Sequence, residues 1–213
     1  DKKTALVNSA EYRTLTSKYR PVLENVSNWT NLPVPGLDEV YFTYDLLNVQ
    51  RSHNLLNIQP VLDNWKEIED VGYFTQYLFF NRAIQDRLGG GPFVNEVYET
   101  FKSTVNGKKG YKYIHYSAHD TTLQSVLATL DLSNTYPELQ EIPPYGAQII
   151  FELHNTSNVY SVQVVVRRGF DAPFTSYKLP AYCASEDCQW NDFIKYINTH
   201  SRLTTAQWCN SCR

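Results

Sequence analysis

The chain has 213 residues, 42% hydrophobic and 19% charged, which excludes intrinsic disorder and allows a large domain with a sizeable appendage. Nineteen Lys and Arg against 22 Asp and Glu leave a net charge of -3, without the basic field of a nucleic-acid binder. The apolar stretches are too short to span a bilayer. Methionine is absent, aromatic residues reach 14% with 16 tyrosines, and the start at Asp1 reads as a processed or truncated chain.

The first half is helical in pattern. Residues 5–24 place Leu6, Leu15, Tyr19 and Leu23 on one side, and residues 25–36 read as a loop, with Pro33 and Pro35 opposing regular structure. Residues 37–49 read as a second helix, with a strand as the alternative that their aromatic content leaves open. Its aromatic run Tyr41, Phe42 and Tyr44 serves either core packing or a pocket mouth. From Asp63 onward Ile68, Val71, Phe74, Leu78, Ile84 and Leu88 recur at helical spacing, and Gly89, Gly90 and Gly91 supply the stop. Pro92 opens another helix, marked by Phe93, Val97 and Phe101, which ends near Asn106 and Gly107.

The period then changes. Residues 111–117 (YKYIHYS) read as a strand and 121–130 as a helix with Leu123, Val126, Leu127 and Leu130 inward. After Pro143 and Pro144 come strands over 147–153 and 159–166, joined by the polar tip Asn155-Thr156-Ser157-Asn158. A short helix over 190–197 precedes the tail. The order predicts an α/β fold with residues 1–106 as a mostly helical subdomain and 107–213 as part of a sheet domain.

Cys183, Cys188, Cys209 and Cys212 all fall in the last 31 residues. Four cysteines allow three pairings, and local bridges of Cys183 with Cys188 and Cys209 with Cys212 are geometrically possible. A zinc site on the C-x4-C and C-x2-C spacings is the rival reading. Three glycosylation sequons, at Asn25, Asn28 and Asn155, accord with disulfides. Together they place the chain in a secreted, lysosomal or otherwise lumenal setting.

Chemistry concentrates in residues 116–123, Tyr-Ser-Ala-His-Asp-Thr-Thr-Leu, where a strand ends and a helix begins. The strand's C-terminal edge and the helix N-terminus, with its free N–H groups, together suit an anionic substrate. His119 is placed to donate to a phosphate-like anion, and a protonated Asp120 can hand its proton to a leaving group. The same residues read equally as an Asp120 helix cap and a hydrogen-bonding turn histidine. No nucleophile stands beside them. Ser117 lacks G-x-S-x-G surroundings, and His53, His115, His154 and His200 form no ligand set. Gly89 to Gly91 follow a helix, the wrong context for a phosphate loop.

These residues carry a resemblance. YSAHDTTLQSVLATL (residues 116–130) resembles the second signature of the histidine acid phosphatases, the lysosomal and prostatic branch of the phosphoglycerate-mutase-like fold. RLGGGPFVNEV (87–97), IPPYGA (142–147), LPAYC with Cys188, and Gln207-Trp208 with Cys212 are similar to the same family in the same order. The resemblance implies a phosphoglycerate-mutase-like sheet portion with an α-helical cap, incomplete without an N-terminal segment. It makes His119 a holder of the transferring phosphoryl group and Asp120 the proton donor. No metal or organic cofactor is implied. The family's nucleophilic histidine lies in an R-H-G-x-R-x-P motif, which this sequence lacks, and Arg51, Arg82, Arg87, Arg167 and Arg168 match none of its phosphate-clamping arginines.

The expectation is therefore a proteolytically processed acid phosphatase acting on phosphomonoesters through a phosphohistidine. A partner N-terminal chain from the same precursor supplies the nucleophile. The alternatives are a portion of a longer chain, and a noncatalytic secreted binding or structural protein on the same fold. The resemblance also implies a Cys183–Cys188 loop and a Cys212 whose usual partner lies upstream of Asp1, leaving it to another chain or to Cys209. Val49 and Gln148 stand where the family has a second disulfide. Homodimers are implied as well.

Overall fold

A computed structural model describes residues 2–82 and 87–211. The chain divides into two compact units, one running to Phe79 and the other from Phe80.

The first unit is all helical: α1 (Lys2–Val7), α2 (Ala10–Thr30), α3 (Val40–Ser52), α4 (Gln59–Asp63) and α5 (Trp65–Gln76). Ser9 caps α2 by accepting the N–H of Tyr12 at 3.0 Å. The helix outruns the sequence expectation by a turn and a half, since residues 25–30 are helical rather than a loop. Two causes are visible. Val26 continues the buried stripe of Leu23, and Asn31 closes the helix in the left-handed conformation, its N–H bonded to the Ser27 carbonyl. Leu23, Leu37, Val40 and Val71 form the unit's core, lined by Tyr12, Leu15 and Tyr19. Tyr44 belongs to packing: it is buried between Trp65 and Tyr73, whereas Phe42 is 71% exposed. Its ring lies where a Cβ at Gly72 would be, 2.5 Å away, so α3 and α5 approach closely because residue 72 is glycine.

The second unit is α/β, as expected. Its elements are α6 (Gly91–Val105), α7 (Asp120–Thr129), α8 (Leu132–Thr135), β1 (Gln148–Thr156), β2 (Val159–Arg167), β3 (Phe174–Tyr177), β4 (Cys188–Gln189), α9 (Trp190–Tyr196) and α10 (Thr205–Ser211). Helix α6, grouped by sequence with the helical half, packs in this unit. The sheet is antiparallel with order β1-β2-β3, and β4 pairs with β2. Strands β1 and β2 pair along their whole length, from Gln148 opposite Arg167 to Thr156 opposite Val159.

Alternate residues of a strand share a face, so Val162, Val164 and Val166 of β2 point together. They are buried with Val94 and Tyr98 of α6, Val126 and Leu127 of α7, and Phe193 and Tyr196 of α9. Cys183 and Cys188 join this core as a disulfide, which removes both as thiolate ligands for zinc. Cys209 is exposed and free, and Cys212 lies outside the described residues.

The expected strand over residues 111–117 pairs with no described strand. Its alternating pattern sets an extended backbone, but a ladder also needs a neighbour. Tyr111, Tyr113, Ile114 and Tyr116 are exposed, with Tyr111 at 84%. Only Tyr116 makes a described ring contact toward the core, edge-on to Phe93 at 5.2 Å.

Gly90 holds α6 against α7. Its N–H donates to Thr129 Oγ1 at 3.2 Å, and an added Cβ would stand 2.7 Å from that oxygen and 2.8 Å from the Ser125 carbonyl. Because backbone is in the way, Gly90→Ala should lower stability by about 1–3 kcal/mol, read as a lower urea midpoint at unchanged slope.

Candidate functional site: the start of helix α7

The chain leaves the extended run at His119, whose backbone (φ -101°, ψ 163°) is still extended while its carbonyl accepts the first helical bonds, from Thr122 and Leu123. His119 is thus the N-cap residue by position. Its imidazole makes no capping bond and stands in solvent. Asp120 opens α7, half-buried, with Oδ1 accepting the Thr121 N–H at 2.7 Å. The carboxylate therefore takes one of the orphan N–H groups of the helix start, from the first helical position rather than the cap position. An imidazole donor and a carboxyl group adjoin the positive end of a helix, an arrangement fit for an anion and for proton delivery.

What fixes this pair is the seating of α7. Its inner face puts Val126, Leu127 and Leu130 into the core, and Gln124 is fully buried, its amide reaching the Gln140 carbonyl at 3.4 Å. At the far end the buried Tyr196 hydroxyl donates to the Leu130 carbonyl at 2.7 Å. Burial raises the pKa of that phenol above its ordinary value, so it stays a donor at every physiological pH. A small cleft of about 20 Å³ beside α7 is lined by Leu123, Leu127, Leu139, Ile142 and Pro143 but not by His119 or Asp120.

The other candidates lie apart from the pair or are engaged. His115 meets the Tyr113 hydroxyl at 3.2 Å in the exposed run, and His154 meets Glu152 at 3.1 Å on β1. His200 stacks on Tyr196, and His53 ends α3. Arg168 pairs with Glu141 at 2.8 Å, Arg167 donates to the carbonyls of Phe170 and Ala172, and Arg51 lies over the Trp65 ring. Among the described residues no three His, Cys, Asp or Glu side chains gather as a metal site, and no helix is long and apolar enough to cross a membrane. Sequence reading missed Tyr196, Gly90 and Thr129, whose contacts join residues far apart in the chain.

Residues 26–167, two thirds of the chain, match the family model described as histidine phosphatase superfamily (branch 2). The protein belongs to this superfamily. It is 29% identical to a lysosomal acid phosphatase of Xenopus laevis over 96% of this chain and 46% of that one. It is 23% identical to a prostatic acid phosphatase of Rattus norvegicus over 99% and 54%. With the venom acid phosphatase Acph-1 of Apis mellifera the identity is 27% over 77% and 42%. The chain spans about half the length of the curated relatives it matches.

The anchor at the end of α7 is open to a direct check. Tyr196→Phe leaves the buried Leu130 carbonyl without its donor and should cost about 1–3 kcal/mol, measured by denaturant unfolding.

Proposed function

We propose that this chain is the proton-donor half of an acid phosphatase that hydrolyses phosphomonoesters at acidic pH. The observation that carries the reading is the adjacent His119 and Asp120 at the start of α7, in a chain of this superfamily. An N-terminal portion with the R-H-G-x-R-x-P motif supplies the nucleophilic histidine and the arginines. The unpaired run 111–117, which leads into His119, supports a further strand arriving from that portion. The helices α1 to α5 then serve as the helical cap, and the unit from Phe80 onward, α6 included, as the C-terminal part of the α/β domain. The assembled enzyme is secreted or lysosomal, and homodimeric.

The nucleophile attacks phosphorus in line while the arginines neutralise the equatorial oxygens. His119 adds a hydrogen bond to the transferring group. Asp120, in its protonated form, gives its proton to the departing alkoxide, and water then hydrolyses the phosphohistidine. Only a protonated carboxyl can act as that donor, so activity falls as pH rises.

The test uses the full-length protein with Asp120→Asn. Turnover of an alkyl phosphate should fall about 10²–10⁴-fold, and that of a nitrophenyl phosphate, whose leaving group hardly needs a proton, far less. Equal losses on both would remove the donor role. Native mass, with denatured masses taken with and without reductant, shows whether the N-terminal portion is a separate chain.

A further inference from the structure

The sequon Asn155-Thr156-Ser157 sits in a geometry that the other two lack. Strands β1 and β2 are joined through Ser157 and Asn158, whose φ angles of 53° and 65° are the left-handed pair of a two-residue type I′ turn. Asn155, exposed near the end of β1, accepts the Asn158 N–H on Oδ1 at 3.0 Å. The turn therefore orients the carboxamide through its oxygen, and the nitrogen that would carry a glycan makes no hydrogen bond among the described residues. At Asn25 and Asn28 the sequon hydroxyls instead close the last turns of α2. Ser27 Oγ donates to the Leu32 carbonyl at 2.5 Å and Thr30 Oγ1 to the Val26 carbonyl at 2.7 Å.

Register supplies the second element. Asn155 lies directly opposite Tyr160. Opposed residues of an antiparallel pair share a face, with Cβ atoms about 4.5–5.5 Å apart. Tyr160 is only half-buried, so part of its side chain is open to solvent. The C–H face of a pyranose is apolar and weakly positive, and an aromatic face is negative, which makes the ring a fitting floor for a sugar.

We propose that Asn155 carries an N-linked glycan whose first N-acetylglucosamine packs on the Tyr160 ring and stabilises the hairpin. The transfer forms a bond from Asn155 Nδ2 to the anomeric carbon of a lipid-linked oligosaccharide. The bond from that carbon to the lipid pyrophosphate breaks, and the amide gives up one proton. The proposal needs passage through the secretory route, with which the Cys183–Cys188 disulfide accords, and is independent of any phosphatase activity.

The full-length protein, secreted from eukaryotic cells, is treated with N-glycanase in ¹⁸O-water and mapped by peptide mass. Asn155 should appear as ¹⁸O-labelled aspartate; an unmodified Asn155 overturns the site. Packing is read by trimming glycans to one sugar and comparing melting midpoints with Ser157→Asn, which removes the sequon but keeps Asn155 and the turn. The glycosylated form should melt about 1–3 °C higher with Tyr160 or Tyr160→Phe, and no higher with Tyr160→Thr. Should Tyr160→Thr fail to fold, Tyr160→Leu gives the same readout. An equal gain without the ring, or no gain with it, overturns the packing.

Discussion

Everything placed at the start of α7 depends on that helix being seated in the apolar core it shares with β2. Val126 and Leu127 bury there together with Val162, Val164 and Val166. Burial of this kind is non-directional, so by itself it would let the helix slide or rotate. Two directional contacts remove that freedom: the Thr129 hydroxyl receives the Gly90 N–H, and Leu130 receives the Tyr196 hydroxyl. Both act near the C-terminal end. The N-terminal end projects from a fixed base with His119 outward.

The contrast between the two sides of His119 is instructive. Downstream, each turn of α7 is buried, bonded or both. Upstream, the run 111–117 is exposed and outside any strand, and β1 leaves one edge unpaired among the described residues. The proton donor proposed above needs a firm base, and α7 gives Asp120 one. A nucleophile and a phosphate clamp need partners on several elements, and Arg51, Arg167 and Arg168 are already engaged elsewhere.

Sequence patterning reached the elements that bury one face locally. The β1–β2 hairpin, α6 and α7 follow from period and turn chemistry, because alternate valines and the left-handed Ser157 and Asn158 leave few other solutions. Patterning placed the end of α2 too early, since the polar Asn25 and Asn28 hide the inward Val26. It also called for a strand at 111–117: alternation prescribes an extended backbone but says nothing about who lies beside it. That His119 and Asp120 stand at a helix start was legible because helix initiation is a local matter. Tyr196 and Gly90 were not, since each matters only through a partner dozens of residues away.

The sheet has a consequence for the order in which the molecule assembles. All four strands among the described residues lie between Gln148 and Gln189, and each of their pairings passes through β2. Such short-range topology forms quickly, because little loop entropy is lost before contacts form. β4 is the last of these strands in the chain, and its Cys188 sits opposite Val162 on the same side of β2 as β3. The bridge to Cys183, five residues earlier in the chain, closes a short loop within the core and so ties the two-residue β4 to the segment that follows β3.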